Sequence, residues 1–270
     1  MYPILLQIGP LGFRTLALVW VIGIYASLKL AVAEFRRRGL DPAWPHDFLA
    51  PAIVAALVGA RLFYVLLFDP VWFAMHPREL FNVWSGLAFQ GAILGGWGAA
   101  LWFCRRRGIG FWHFADAAVP GLVVGQAIGA LGSFLNGSGY GTPTAVAWAV
   151  VFHDPRGQAP LGVPVHPAQL YEALALVVLF GGLWMVRSAR RAGAVFLLYL
   201  LGLLALAPLD YLRGDALWLG EVVPAAVPLS LAALLGACAA WVRSRQSTPV
   251  GATVTSEPAE LPTTPSRSRR

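Results

Sequence analysis

The sequence predicts an all-α polytopic membrane protein: seven transmembrane helices, the N-terminus outside and the C-terminus cytoplasmic. Three observations carry this. Of 270 residues, 58% are hydrophobic and only 12% are charged, too little polar surface for a soluble domain of this length. Seven apolar runs each have about 20 residues, the length that crosses a hydrocarbon core as a helix. Arginine-rich segments follow every second run. The same composition excludes a cytosolic enzyme, a secreted disulfide scaffold and a disordered chain.

The runs lie at 15–34, 48–68, 86–104, 114–134, 168–187, 194–212 and 223–242. Lipid offers no partners to open backbone, so each is read as a helix. No secretory cleavage pattern precedes span one, which is read as an anchor. Span two holds Arg61 about seven residues from its outer end, roughly 10 Å deep at helical rise. Span three opens on Gln90 and carries Gly91 and Gly95, and span four carries Gly125 and Gly129; small residues four apart let helices approach closely. Span four closes with Ser133 and Asn136.

Residues 135–167 form the longest loop, with WAVVF as a short strand and Gly137 to Gly141 as a tight turn whose N–H groups can meet an anionic headgroup. His166 and Pro167 read as the entrance to span five, where Gln169, Tyr171 and Glu172 follow at once. Pro208 is placed to kink span six, which ends in Asp210 and Arg213. Residues 1–242 are one integral membrane domain, and 243–270, rich in Ser, Thr and Pro, are a disordered cytoplasmic tail.

Orientation comes from Arg36, Arg37 and Arg38, then Arg105, Arg106 and Arg107, then Arg187, Arg190 and Arg191, then Arg243 and Arg245. The loops between them carry only Arg78, Arg156 and Arg213. Positive loops stay inside. The net charge of +7 is therefore spent on topology, and no nucleic-acid partner is expected. Cys104 and Cys238 lie in separate runs without metal or redox spacing and read as packing residues.

Polar groups inside spans are costly and usually face a cavity or a partner. Arg61, Gln90, Ser133, Asn136, Gln169, Tyr171, Glu172, Asp210 and Arg213 all fall in the outer half of the assigned topology, so the sequence predicts a polar site facing the outer leaflet. Glu172 needs a cation, and Arg61 or Arg213 can supply it. No internal repeat is present and these groups avoid the midplane and the inner half, which argues against a transporter.

Several strings together resemble the bacterial phosphatidylglycerol–prolipoprotein diacylglyceryl transferase family. VHPAQLYEA at 165–173 matches its HP-x-QLYE motif, and FLNGSGYGTPT at 134–144 is similar to its signature segment. GARLFYVL at 59–66, GLAFQGAILGG at 86–96 and YLRGD at 211–215 fall in the family's order and spacing. The resemblance implies transfer of a diacylglyceryl group from phosphatidylglycerol to the lipobox cysteine thiol of prolipoproteins, with release of glycerol phosphate. It implies phosphatidylglycerol, prolipoprotein signal peptides and membrane lipid as partners, no metal or cofactor, and a bacterial inner-membrane location.

On that resemblance Glu172, Asp210 and His166 are the candidate bases or orienting groups. Arg61 and Arg213 are candidates for the phosphate; Gln90, Ser133, Asn136, Gly137, Tyr140, Gly141, Gln169 and Tyr171 are candidates for binding or positioning substrate. The chain departs from the family by lacking an arginine at Ala130 and at Leu206, a tyrosine near Leu16, and a histidine or tyrosine at Gln90. These replacements motivate a second reading, a non-catalytic relative that binds lipid or lipoprotein precursor.

Overall fold

The computed structural model describes residues 4–8, 11–68, 70–81, 86–189, 191–216, 218–219 and 223–246. Seven long helices stand at the seven apolar runs: α1 (Thr15–Arg37), α2 (Trp44–Phe68), α4 (Phe89–Arg107), α5 (Phe111–Asn136), α6 (Ala168–Val186), α7 (Ala194–Leu206) and α8 (Ala226–Gln246). A short α3 (Pro70–Met75) follows α2. Six of the seven long segments are apolar and long enough to cross a membrane; α4 is not among them. Its reason is compositional: Gln90 stands in its first turn, glycines dilute its middle, and Arg105, Arg106 and Arg107 close it. The chain is a multi-pass membrane protein.

Close backbone approach organises the bundle. A Cβ on Gly59 or Gly91 would run into the other's carbonyl, and one on Gly95 into the carbonyl of Ala55. Because Gly59 faces Gly91 while Ala55 faces Gly95, α2 and α4 run antiparallel. A Cβ on Gly121 of α5 would likewise run into the Ser27 carbonyl of α1, one on Gly125 would press on the Ser27 side chain at 3.2 Å, and Gly23 of α1 faces the Gly125 carbonyl. The packing reading thus holds for Gly91, Gly95 and Gly125. Gly129 differs, with only Trp20 at 3.9 Å from where its Cβ would stand.

All the arginine clusters collect at one end. Arg107 pairs with Asp47 at 2.8 Å, Arg37 and Arg38 donate to the Arg187 carbonyl at 2.9 and 2.7 Å, and Trp112 donates to Ser244 at 3.1 Å. This end also buries charge, which corrects the expectation that polar groups avoid that half. Glu34 accepts from Arg37 at 2.6 Å. Asp116, wholly buried, accepts from the N–H groups of Gly193 and Phe196 at 2.8 and 2.9 Å. An α5 carboxylate therefore caps the first turn of α7, whose N–H groups have no partner within their own helix. Lys29, on the exposed side of α1, is a further cation that the outer-half reading passed over.

Tertiary structure also moves several boundaries. Helix α8 runs to Gln246, four residues into the expected tail; 247–270 lie outside the described residues. Val223 and Pro224, expected to begin span seven, form strand β6, paired with β5 (Trp218–Leu219). An antiparallel pair, β1 (Ile4–Ile8) and β2 (Leu11–Arg14), precedes α1 without a sequence expectation. The expected strand in 135–167 appears as β3 (Val150–Val151), paired with β4 (Pro164–Val165) over the buried Phe152, Ala159 and Val165. Cys104 is buried among Phe35, Phe103 and Phe114. Beyond Leu206 the chain tightens into a 3-10 helix, Ala207–Leu212, with proline in its first turn.

Candidate active site

At the end opposite the arginine clusters, α5 stops at Asn136 because Gly137 adopts a left-handed conformation, φ 76°. Ser138 then donates back to the Ser133 carbonyl at 3.1 Å. A second positive φ at Gly139, 69°, turns the chain so that Gly141 lies beside Arg213 as an isolated antiparallel bridge. Gly214 donates to the Tyr140 carbonyl at 2.8 Å and Thr142 to the Leu212 carbonyl at 2.7 Å, tying this loop to the end of the 3-10 helix.

Arg213 is the centre of the cluster. Its Nη2 lies 3.1 Å from Asp215, while its Nη1 lies 3.8 Å from Asp210 and 4.0 Å from Glu172. Glu172 has therefore found its cation in Arg213, one of the two expected partners. Burial works against the Arg213 charge, but the carboxylates of Asp215, Asp210 and Glu172 outweigh it and push the guanidinium above its ordinary range. Nη1, beyond hydrogen-bond length from both Glu172 and Asp210, presents the edge open to a further oxygen.

Two cavities meet at this cluster. One, of about 390 Å³, lies between α4, α6, α7 and α8 and is walled by Gln90, Glu172, Asp210 and Arg213. The other, of about 600 Å³, lies between α1, α2, α4 and α5 and reaches Ser133, Glu172 and Arg213. Phe89, Gln126, Glu172 and Arg213 belong to both walls. Leu206 lines the first and Ala130 the second, so the positions where family resemblance led to arginine are apolar cavity wall here.

The remaining expected residues divide into two groups. Gln169 is 1% exposed and donates to the Ser138 carbonyl at 2.9 Å; its Oε1 has no hydrogen-bond partner among the described residues. Asn136 donates to the Ser138 hydroxyl at 3.3 Å. Both shape the loop from below. His166 accepts at its carbonyl from Gly141 at 3.0 Å, and its Nδ1 lies 3.3 Å from the Tyr171 hydroxyl, which Trp148 also engages at 2.6 Å. Neither cavity wall includes His166 or Tyr171.

The N–H groups of the glycine turn were expected to meet an outside anion, and here they are already engaged. Gly139 donates to Asp215 at 2.6 Å, Gly141 to the His166 carbonyl, and Gly137 to the Phe134 carbonyl at 3.3 Å. Of these acceptors Asp215 alone is an anion, and it is the protein's own. Arg61, 6% exposed, donates to the carbonyls of Glu79, Leu80 and Gly86, with its guanidinium 5.0 Å from the Phe73 ring. It holds the chain after α2 in place, behind the Tyr64 and Gly86 wall of the smaller cavity. Gln90 does reach the site, and its Oε1 is buried without a hydrogen-bond partner among the described residues.

Sequence reasoning missed Asp215 and Gln126. Asp215 was legible as the last letter of YLRGD, two residues from Arg213. Gln126 was one polar side chain inside an apolar run, and it hydrogen-bonds Tyr199 at 3.0 Å while facing both cavities.

The family model described as prolipoprotein diacylglyceryl transferase matches residues 3–243. Among curated proteins, the chain is similar to a phosphatidylglycerol–prolipoprotein diacylglyceryl transferase of Synechococcus elongatus, 36% identical over 233 residues that cover 82% of this chain and 80% of the relative. It is similar to the protein of that name from Geobacter sulfurreducens, 39% identical over 72% of this chain and 75% of the relative. The Solidesulfovibrio magneticus protein of that name is 37% identical over 72% of this chain and 74% of its own length.

Proposed function

The chain belongs to the prolipoprotein diacylglyceryl transferase family, and we propose from this premise how its own residues transfer a diacylglyceryl group from phosphatidylglycerol to a prolipoprotein cysteine. The observation that carries the reading is the position of Arg213 and Glu172 in the shared wall of two cavities. A two-substrate transfer needs such a meeting point. The lipid occupies one cavity with its phosphate on Nη1 of Arg213, and the thiol of the signal-peptide lipobox arrives through the other.

Glu172 takes the thiol proton, because it alone of the candidate bases faces both cavities. The thiolate attacks the glyceryl carbon, the C–S bond forms as the C–O bond to phosphate breaks, and the electron pair leaves on glycerol phosphate. Arg213 stabilises the charge that gathers there. Asp210 and Asp215 hold the guanidinium, and Asn136, Gln169, His166 and Tyr171 shape the loop over the site. Gln90 offers a polar contact to the lipid. Arg61 acts through the chain that it anchors.

All seven long helices cross the membrane in this reading, α4 included, since it lies antiparallel along α2 and ends beside Asp47. The arginine-rich end is cytoplasmic, the N-terminus is outside, and the membrane is the bacterial inner membrane. The relatives' shared transferase name does not favour the non-catalytic reading. The test is thioether formation by purified protein from phosphatidylglycerol and a lipobox peptide. Wild type yields product and Glu172→Gln does not, with lipid still bound; product from Glu172→Gln at the wild-type rate removes Glu172 as the base.

A further inference from the structure

The arginine triplet after span one is divided in its use. Arg37 and Arg38 are engaged by Glu34, Asp116 and the Arg187 carbonyl. Arg36 turns the other way. It lines a groove of about 340 Å³ against α1, together with Tyr25, Leu28, Lys29, Val32 and His46. Residues 25, 29, 32 and 36 are spaced by four, three and four, so they form one stripe along the helix.

Among the described residues, neither Lys29 nor Arg36 has a carboxylate at ion-pair distance. The carboxylates nearest in sequence are committed: Glu34 to Arg37, Asp47 to Arg107, and Asp41 to the Ala43 N–H at 2.8 Å. The Lys29 ammonium lies over the Tyr25 ring, 5.3 Å from its centroid. Lys29 stands within a membrane-crossing segment, on an exposed face. A cation there without a counter-charge is expensive in hydrocarbon. The ammonium points toward the Tyr25 end of the stripe, and Arg36 stands about 10 Å further along it, so the groove carries positive charge at two depths.

We propose that this groove binds one anionic phospholipid of the leaflet at the arginine-rich end, its phosphate held by Arg36 and His46, with the Lys29 charge further down the same groove adding to the attraction. The acyl chains lie along Leu28 and Val32. Charge complementarity selects this occupant, because the groove carries cations and an apolar floor while the surrounding carboxylates are paired elsewhere. The site is separate from the reaction cluster, which lies at the opposite end of the bundle, and it does not rest on the mechanism above.

Native mass spectrometry of the purified full chain tests it, with dioleoylphosphatidylglycerol, dioleoylphosphatidylcholine or inorganic phosphate added. Besides the lipid of the reaction cavities, wild type is expected to retain a further phosphatidylglycerol adduct, at least fivefold over phosphatidylcholine. The double variant Lys29→Gln/Arg36→Gln loses that adduct, while the charge-preserving pair Lys29→Arg/Arg36→Lys keeps it. Arg213→Gln also keeps it, which separates this lipid from one in the reaction cavities. Equal retention of phosphatidylcholine, an adduct count unchanged by Lys29→Gln/Arg36→Gln, loss of every lipid adduct through Arg213→Gln alone, or equal retention of inorganic phosphate in place of lipid each overturns the assignment.

Discussion

Asp215 holds two parts of the site at once: one carboxylate oxygen accepts from Nε of Arg213 at 3.1 Å, the other from the Gly139 N–H at 2.6 Å. One side chain thereby fixes the cation and the glycine turn relative to each other. The prediction is that Asp215→Ala leaves the protein folded in the membrane but misplaces the guanidinium. Misplacing a catalytic group by about 1 Å costs about 100-fold in rate, so kcat/KM for thioether formation should fall on that scale. Asp215→Glu should recover only part of it. Unchanged kinetics in Asp215→Ala would show that Arg213 is positioned by Asp210 and Glu172 alone.

The pairing of α2 with α4 rests on backbone contact, and adjacent glycines give its control. At Gly95 a Cβ meets the Ala55 carbonyl, whereas at Gly96 nothing lies within 4 Å. Gly95→Leu is expected to destabilise by about 1–3 kcal/mol through overpacking. Gly96→Leu should be neutral or slightly stabilising. Melting temperatures in one detergent, measured side by side, decide this; equal effects would mean that the helices separate without cost.

Asp116 lies at the other end of the bundle from the reaction cluster and joins α5 to α7, with Arg38 3.7 Å away. Removing one member of a buried charged network costs about 3–5 kcal/mol, because its partners stay buried without it. Asp116→Ala should lose stability on that scale, and the fraction that remains folded should retain the wild-type KM for lipid. A shifted KM without loss of stability would link Asp116 to the site instead.

In the loop, Asp154 accepts from the Arg156 guanidinium at 2.8 and 2.9 Å and from its N–H at 3.0 Å. These contacts hold its pKa at about 2, below the ordinary 3.8. A depressed carboxylate stabilises the fold above its ordinary pKa, and that contribution disappears as pH falls through about 2. Carboxyl NMR should show the low midpoint in wild type and a rise toward 3.8 in Arg156→Ala. A midpoint already near 3.8 in wild type would show that the pair is not formed.

Much of this was legible because a membrane span is specified locally. Twenty apolar residues need no distant partner to be a helix, so all seven helices stand where the runs are, with ends displaced by a few residues. Glycines four apart announced close packing, and Gly137 and Gly139 do take the positive φ that a tight turn requires. The dependence of Glu172 on a cation was also readable, since an unpaired carboxylate in that setting is too costly. Burial of charge at the arginine-rich end was not. Glu34 and Asp116 are tolerated there only because α1, α6 and α7 bring guanidinium and N–H donors to them.

The sequence by itself determined the class of the protein, the order of its long helices, and the family, because composition, run length and motif spacing are properties of short segments. Tertiary structure decided which polar residues act together. Arg61 and Arg213 are alike in sequence, each a cation assigned to the outer half of the expected topology. Yet Arg61 donates to the carbonyls of Glu79, Leu80 and Gly86, while Arg213 stands among three carboxylates where two cavities meet. The difference arises because a side chain's donors are claimed by whatever the folded chain brings within about 3 Å, and that neighbourhood is assembled from segments far apart in sequence.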